Sequence, residues 1–457
     1  MAFPDGWGRK CALVIQNGQV PANQSNFPVL LTEDTLPSEM MDADGSYPAL
    51  NGGGDIRFSS DSAGSTRLAC EIVDFTTNND PANATAEIYV KIPSVSSSVD
   101  TTFYVWYNKT GESQPARNDT YGSDNVWDSN YIMVHHMDGS AYTDLDDSTS
   151  NQQDVTAQEG SPTFGASAPY GEGVDYSGTT QGHEVADSAT LDLASQFTVS
   201  AYFNAGSLGS YPRLAVKAHT SNASPYTVYG LLFDASSHLR TEMATGSTQY
   251  SDTHTTTVST GTWVYGSATY NGTTIYTYHN STQSSGTAHT GAVATNTQDF
   301  SIGKAGYESN YFDGTIAEVR VSNIARTANW ITTEVNNVTS PSTFVVEGTP
   351  ETPNLSININ NSITITENIA TAIDTFTISG ITKDRNGNTL GTCECFLCKD
   401  NGDNTASFIN YTQSDESGNY TFSNIVDNDA SYFVISWKDD SPHVFDVTDH
   451  VLQPVMA

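Results

Sequence analysis

The sequence predicts an all-β protein built from three serial β-sandwich domains. Two observations carry this. Short alternating runs recur along the whole chain, among them "CALVIQNG", "AEIYVKIP", "TTFYVWYN", "FTVSAYFNA", "YTVYGLLFDA", "IAEVRVSN", "TFVVEG" and "FTISGITKD". Clusters of Gly, Asn, Asp, Ser and Pro separate them, which is the pattern of sandwiches and barrels rather than of helical folds. The composition agrees: 23 Tyr and 18 Phe accompany many Val and Ile, while charged residues are only 15 %, a strand-forming mixture. In "TYNGTTIYTY" the pair Asn271-Gly272 stands between two such runs. It predicts a hairpin with a two-residue turn at positive φ.

Turn-rich segments set the boundaries. "NKTGESQPARNDTYGSDN" ends a first domain, residues 1–125, and "EGTPETPN" carries two prolines and reads as a linker. A middle domain then spans 126–348 and a last one 349–457.

The chain is strongly acidic, with 17 Lys+Arg against 52 Asp+Glu and a formal charge of −35. The acidity is spread over all three parts. Nucleic acid is therefore not an expected partner, because phosphate contacts need clustered Lys and Arg. No apolar run approaches the ~20 residues of a membrane-spanning helix, so membrane insertion is not expected. The opening "MAFPDGWGRKCALVIQNG" lacks a basic stretch followed by an apolar core. A secretory signal is not expected there, which suits a cytosolic protein or one released by lysis.

In the first domain, Trp7 and Arg9, the run Asn26-Phe27-Pro28-Val29-Leu30, "DIRFSSD" at 55–61 and "FYVWYNKTG" at 103–111 follow one another. Together they resemble a β-sandwich domain of unknown function that commonly precedes laminin-G-like modules. Asp55 and Asp61 could bind a cation. The alternative is a Gly-rich turn before a strand with Ile56 and Phe58 inward.

In the middle domain, the stretch opening at "VWDSNYIMVHHMDGSAYTDLDDSTSNQQD" and the stretch "YFDGTIAEVRVSNIARTANWI" resemble a laminin-G-like module of the concanavalin A lectin/glucanase type. The resemblance implies a jelly roll of two packed antiparallel sheets. On the last strand, alternation places Ala317, Val319 and Val321 toward the core and Ile316, Glu318 and Arg320 on the other face. "ARTANWI" is long enough for one helical turn that packs Trp330 against the sandwich edge. Related glucanases carry carboxylates spaced E-x-D-x-x-E on one strand. Here the strand offers Glu318 alone, followed by Arg320, so a salt-bridged structural role is expected and no catalytic residue is assigned.

Calcium is the metal that the resemblance implies. Such modules often bind it at a loop like "DLDDSTSNQQD", with an Asp near the final strand. The candidate ligands are Asp144, Asp146, Asp147, Asn151 and Asp154, with Asp313 of "YFDG" as the partner; oxygen donors of this kind suit the ion. The alternative is that Asp147 and Asp313 cap turns. His135 and His136 are adjacent, so on a strand they face opposite sides and do not easily share one ion. Zinc is therefore not expected there.

In the last domain, Ile378-Ser379-Gly380, Asp384, Gly387, Leu390, Asp415, Gly418, Tyr420 and Phe422 resemble a carboxypeptidase-regulatory-like, Ig-like β-sandwich. Tyr420 and Phe422 should alternate inward. Cys393, Cys395 and Cys398 form C-x-C-x2-C, which could hold a soft metal. No fourth ligand lies near, and small buried core residues are the alternative. Residues 354–374 alternate like an additional strand, or like an arm that could pair with a neighbouring subunit in a homo-oligomer. The ending "VFDVTDHVLQPVMA" resembles phage structural proteins.

The expected function is non-enzymatic: a phage virion protein at the virion surface, as capsid decoration, fibre or tail-associated component. It would have capsid or tail proteins as partners and display a glycan- or host-surface-binding module. A bacterial or archaeal cell-surface lectin or adhesin is the alternative, and a glycan-active enzyme a further one.

Overall fold

The computed structural model describes residues 3–220, 223–306 and 310–353 of one compact unit, 1–353, and parts of a second, 354–457, between 376 and 456. Among its described residues the first unit contains 24 strands. The first sandwich has β1 (Arg9–Ile15), β2 (Gln24–Thr32), β3 (Arg57–Ser59), β4 (Arg67–Leu68), β5 (Cys70–Thr76), β6 (Thr85–Val95) and β7 (Thr101–Tyr107). The jelly roll follows with β8 (Tyr131–His135), β9 (Val155–Glu159), β10 (Thr163–Ser167), β11 (Glu172–Ser177), β12 (Gly182–Val185), β13 (Phe197–Ser207), β14 (Arg213–Ala218) and β15 (Thr227–Phe233). It continues with β16 (His238–Thr245), β17 (Thr248–Thr257), β18 (Trp263–Tyr270), β19 (Thr274–His279), β20 (Thr282–Gln283), β21 (Thr287–Ala288), β22 (Phe300–Ile302) and β23 (Asp313–Ser322). The strand β24 (Val345–Glu347) comes last.

The first sandwich packs the sheet β24-β1-β7-β3-β4 against β2-β6-β5. Its outermost strand β24 comes from the far side of the jelly roll in sequence, with Val14 opposite Val346. The chain thus returns to its starting sandwich, which ties the two sandwiches into one unit.

The jelly roll has a nine-stranded sheet, β10-β11-β23-β13-β18-β19-β20 with β8 on β23 and β21 on β19, and a seven-stranded sheet, β17-β16-β15-β14-β22-β12-β9. Val199, Phe203, Tyr229, Leu231, Phe300, Ile302 and Val319 fill the space between them. Alternation explains these choices, since every second residue meets the opposite sheet. The β18–β19 hairpin forms where Asn271-Gly272 predicts it, with a different turn. Only Gly272 takes positive φ, at 89°. Asn271 instead uses its side-chain oxygen to accept from the backbone N–H groups of Thr273 and Thr274, an Asx-type turn.

Two expectations for β23 need correction. A bulge shifts its pairing with β13, so that Tyr202 opposes Glu318 while Phe203 opposes Ile316. The extra residue, Ala317, reverses the alternation. Ile316 therefore joins Val319 and Val321 in the jelly-roll core, and Ala317 faces the first sandwich. The segment after β23 is not one turn but a twelve-residue helix, Ala328–Thr339, started by Thr327 accepting from the N–H of Trp330. Trp330 lies edge-on to Phe27 of β2 at 5.1 Å. Asn337 accepts from the Leu30 N–H at 2.7 Å and donates to the Leu30 carbonyl at 3.1 Å, so it satisfies the free edge of β2.

In the second unit, Phe376–Ile381 pairs with Asn419–Ile425 and Val455–Met456, and Glu394–Asp400 lies between Ala406–Gln413 and Tyr432–Lys438, with Val444–Val447 outside. Tyr420 and Phe422 are both buried, 5.8 Å apart edge to face. Asp415 accepts from the N–H groups of Ser417 and Asn419 in the expected turn. Cys393, Cys395 and Cys398 are buried. The proposed arm 354–374 and the residues Asp384, Gly387 and Leu390 lie outside the described residues.

Candidate functional site

The residues named from sequence separate into three places. In the loop after β8, Asp147 is fully buried and accepts from the N–H groups of Val134, Thr149 and Gln153 and from the Thr149 hydroxyl. Asp154 accepts from the Asp147 N–H. Asp144 accepts from the N–H groups of Ser140 and Ala141. Asn151 donates to the Tyr131 and Ile132 carbonyls. Asp146 is exposed. These side chains fold the loop, as carboxylates in turns do.

Asp313 stands elsewhere. It begins β23, beside Gly178 and Gly206, and accepts from Ser207 Oγ. Asp147 bonds to Val134, which lies opposite Arg320, seven residues further along β23. At about 3.3 Å per residue the two acids are roughly 20 Å apart, too far to share one ion. Asp55 and Asp61 likewise serve the backbone. Asp55 accepts from Leu50 and Lys109, Asp61 from Ala63, Ser65 and Thr66, and Ile56 and Phe58 point inward.

The second place is the seam between the nine-stranded sheet and the first sandwich. The outer face of β23 was expected to carry a simple acid–base pair. Glu318 is fully buried and its Oε1 accepts from Arg320 Nε at 2.8 Å. Its Oε2 lies 3.0 Å from His136 Nδ1. His135 and His136 do face opposite sides. His135 enters the jelly roll and meets the Gln153 carbonyl. His136 enters the seam, not solvent, and stacks on Tyr89 at 4.7 Å. Its Nδ1 is also 3.4 Å from Glu87 Oε1, and its Nε2 is 3.4 Å from Glu71 Oε2, which accepts from Trp127 Nε1 at 2.7 Å. Arg320 reaches Glu334, itself bonded to the Tyr131 hydroxyl.

Burial and charge set the protonation here. Burial opposes a charge on His136, but Glu318 and Glu71 hold its pKa well above the usual imidazole value. Burial also pushes Glu318 up, yet His136 and Arg320 bring it below the ordinary carboxylate range. Burial drives Glu87 far upward; His136 opposes this, and Glu318 and Asp138 add to the rise. Glu71, Glu87 and His136 were not recognised as partners of Glu318 in the sequence. Glu71 and Glu87 sit in strands as isolated polar positions, and His136 just follows the end of β8.

The third place is the outer face of the seven-stranded sheet, which no sequence motif marked. Glu184 of β12 pairs with Ser301 of β22, and Ser301 with Val216 of β14. Above this row lies a polar depression lined by Glu184, Ala218, Gln298, Asp299, Ser301 and Gly306. Glu184 binds Lys304 at 2.7 Å, and Asp299 accepts from the Asp187 N–H at 2.9 Å. Ser301 Oγ is buried and, among the described residues, has no hydrogen-bond partner. Tyr226 is 42 % exposed, and its carbonyl accepts from the N–H of His219, next to Ala218.

Residues 177–332 match the family model of the concanavalin A-like lectin/glucanases superfamily. No curated protein matches the chain. Similar solved structures include domain 4 of AbnA, a GH43 extracellular arabinanase from Geobacillus stearothermophilus, in complex with arabinotriose. It is 18 % identical, spans 45 % of this chain and 98 % of that one, and has a TM-score of 0.38. Another is the binding domain of Paraclostridial Mosquitocidal Protein 1, 10 % identical over 70 % and 75 % of the two chains, TM-score 0.39. A third is the Ruminococcus gnavus IT-sialidase CBM40 bound to α2,3-sialyllactose, 12 % identical over 36 % and 96 %, TM-score 0.32. The two packed sheets of this all-β chain form a jelly roll, and residues 177–332 within it are similar to the concanavalin A-like lectin/glucanases superfamily.

Proposed function

We propose that the chain is a non-enzymatic binding protein whose jelly roll recognises glycans through the outer face of its seven-stranded sheet. The observation that carries this reading is the polar depression on that face. Carboxylates of Glu184 and Asp299 supply acceptors for sugar hydroxyls. Tyr226, exposed and bonded through its carbonyl to His219 beside Ala218, would supply an apolar ring face for a ring-shaped ligand. Glu318, the one strand carboxylate with a glucanase-like position, is sealed and ion-paired. A substrate in water cannot reach it.

The setting we propose is a virion surface, with capsid or tail proteins as neighbours, on the resemblance of the C-terminal segment to phage structural proteins. A cell-surface lectin is the second reading. Peptides of this chain in purified virions support the first; their absence removes it.

Binding is tested on a glycan array with the intact chain and with Tyr226→Ala. The expected result is selective retention of a glycan class, weakened at least tenfold by the substitution. Hydrolysis of any bound glycan, lost in Glu318→Gln, would overturn the non-enzymatic reading.

A further inference from the structure

We propose that Glu87, His136 and Glu318 form a binding site for a divalent transition-metal ion of the zinc class, buried in the seam between the two sandwiches. Among the described residues, these three place one ligand atom each within 4.8 Å of one another. His136 Nδ1 lies 3.0 Å from Glu318 Oε2 and 3.4 Å from Glu87 Oε1. Zinc bonds of about 2.0–2.2 Å set neighbouring donors of a tetrahedral site roughly 3.3–3.6 Å apart, close to this spacing. The independent sign of a missing ligand is Glu87 Oε1. It is buried, aimed at the cluster, and without a hydrogen-bond partner among the described residues, a condition that folded proteins rarely leave.

The surroundings are built as metal sites are built. A ligating imidazole generally donates its other N–H to a carboxylate, which fixes the tautomer. Glu71 stands at His136 Nε2 and is itself held by Trp127. Arg320 engages Glu318 Oε1 and leaves Oε2 facing His136 Nδ1, with the Tyr89 hydroxyl 3.3 Å away. Gly171 gives Glu87 its space: a Cβ at that position would lie 1.9 Å from Glu87 Oε2. One imidazole and two carboxylates suit zinc better than calcium, which takes six to eight oxygens. Glu87 comes from the first sandwich, and His136 and Glu318 come from the jelly roll. An ion there would join the two halves, and burial means that it enters as they close.

The test uses the intact chain, produced or refolded with Zn²⁺ and then dialysed. Metal content should be one equivalent per chain, and Tm should exceed that of chain refolded with chelator. Glu87→Gln, nearly isosteric, should keep the circular dichroism spectrum and lose at least nine-tenths of the metal. If that variant fails to fold, X-ray absorption of the wild-type chain decides. A first shell of nitrogen and oxygen with an imidazole signature supports the site. A sulfur shell assigns the metal to the cysteines and overturns it. Absence of retained metal, or equal content in a folded Glu87→Gln, means that the cluster holds protons only and overturns it as well.

Discussion

The two sheets of the jelly roll share one core but meet different surroundings on their outer faces. The nine-stranded sheet is covered by the first sandwich and by the helix Ala328–Thr339. Its outer face holds Glu318, Arg320 and His136, all nearly inaccessible. The seven-stranded sheet carries polar residues on its outer face too, but keeps a depression lined by Glu184, Asp299 and Ser301. Similar side chains therefore have opposite consequences. In the seam, each charge needs a fixed partner, because burial of an uncompensated ion is costly. On the other face, Glu184 and Asp299 line a depression, where we propose that a ligand is received. Burial separates the two sets of carboxylates, and residue type does not.

The comparison breaks most visibly at Arg320. Arg320→Met leaves Glu318 and Glu334 buried without their cation and should cost about 3–5 kcal/mol, read by urea unfolding of the intact chain. A similar loss, about 3–5 kcal/mol, is expected for Trp330→Ala, which empties the contact with Phe27. A cost below 1 kcal/mol for both would mean that the seam does not stabilise the unit.

Acid should weaken the jelly roll through His183. Burial holds its pKa down to about 4, from an ordinary 6.5, beside the Tyr176 hydroxyl at 2.7 Å. Because the folded value is depressed, the unfolded chain binds the proton first. The neutral-His stabilisation is complete above pH 6.5 and declines as pH falls toward 4, by up to about 3 kcal/mol. Carboxylates titrate in the same window, so the measurement is the difference in unfolding free energy between wild type and His183→Gln. That difference should change with pH in this range; a constant difference would contradict the assignment.

Asn337→Ala should cost about 1–3 kcal/mol, since it strands both backbone groups of Leu30. The smallest stability effect belongs to the open face. Tyr226→Ala should stay within about 0.5 kcal/mol of wild type while reducing glycan retention.

Much of the fold was legible in the sequence, because alternation and turn chemistry are local signals. "TYNGTTIYTY" marked its hairpin, and Tyr420 and Phe422 turned inward as their spacing implied. The bulge at Ala317 was not legible. A strict period of two cannot show an extra residue, so Ile316 was placed on the wrong face. The helix after β23 was underestimated because "TEVNNVT" has weak helix propensity. Its Thr333, Glu334 and Asn337 are buried against a polar seam, which no amphipathic pattern announces. The cluster around His136 was hidden for the same reason. Glu71 and Glu87 lie on β5 and β6 and Glu318 far along the chain on β23, and no local pattern links them. The carboxylates of "DLDDSTSNQQD" were conspicuous by proximity, yet they bond to their own loop.

Hydrogen exchange of the intact chain, with and without a glycan retained on the array, tests most directly that the seven-stranded sheet is the recognising surface. Protection on binding should concentrate in β12, β14 and β22 and in the loops at Ala218 and Asp299. Protection confined to the first sandwich or the second unit, with those strands unchanged, would contradict it.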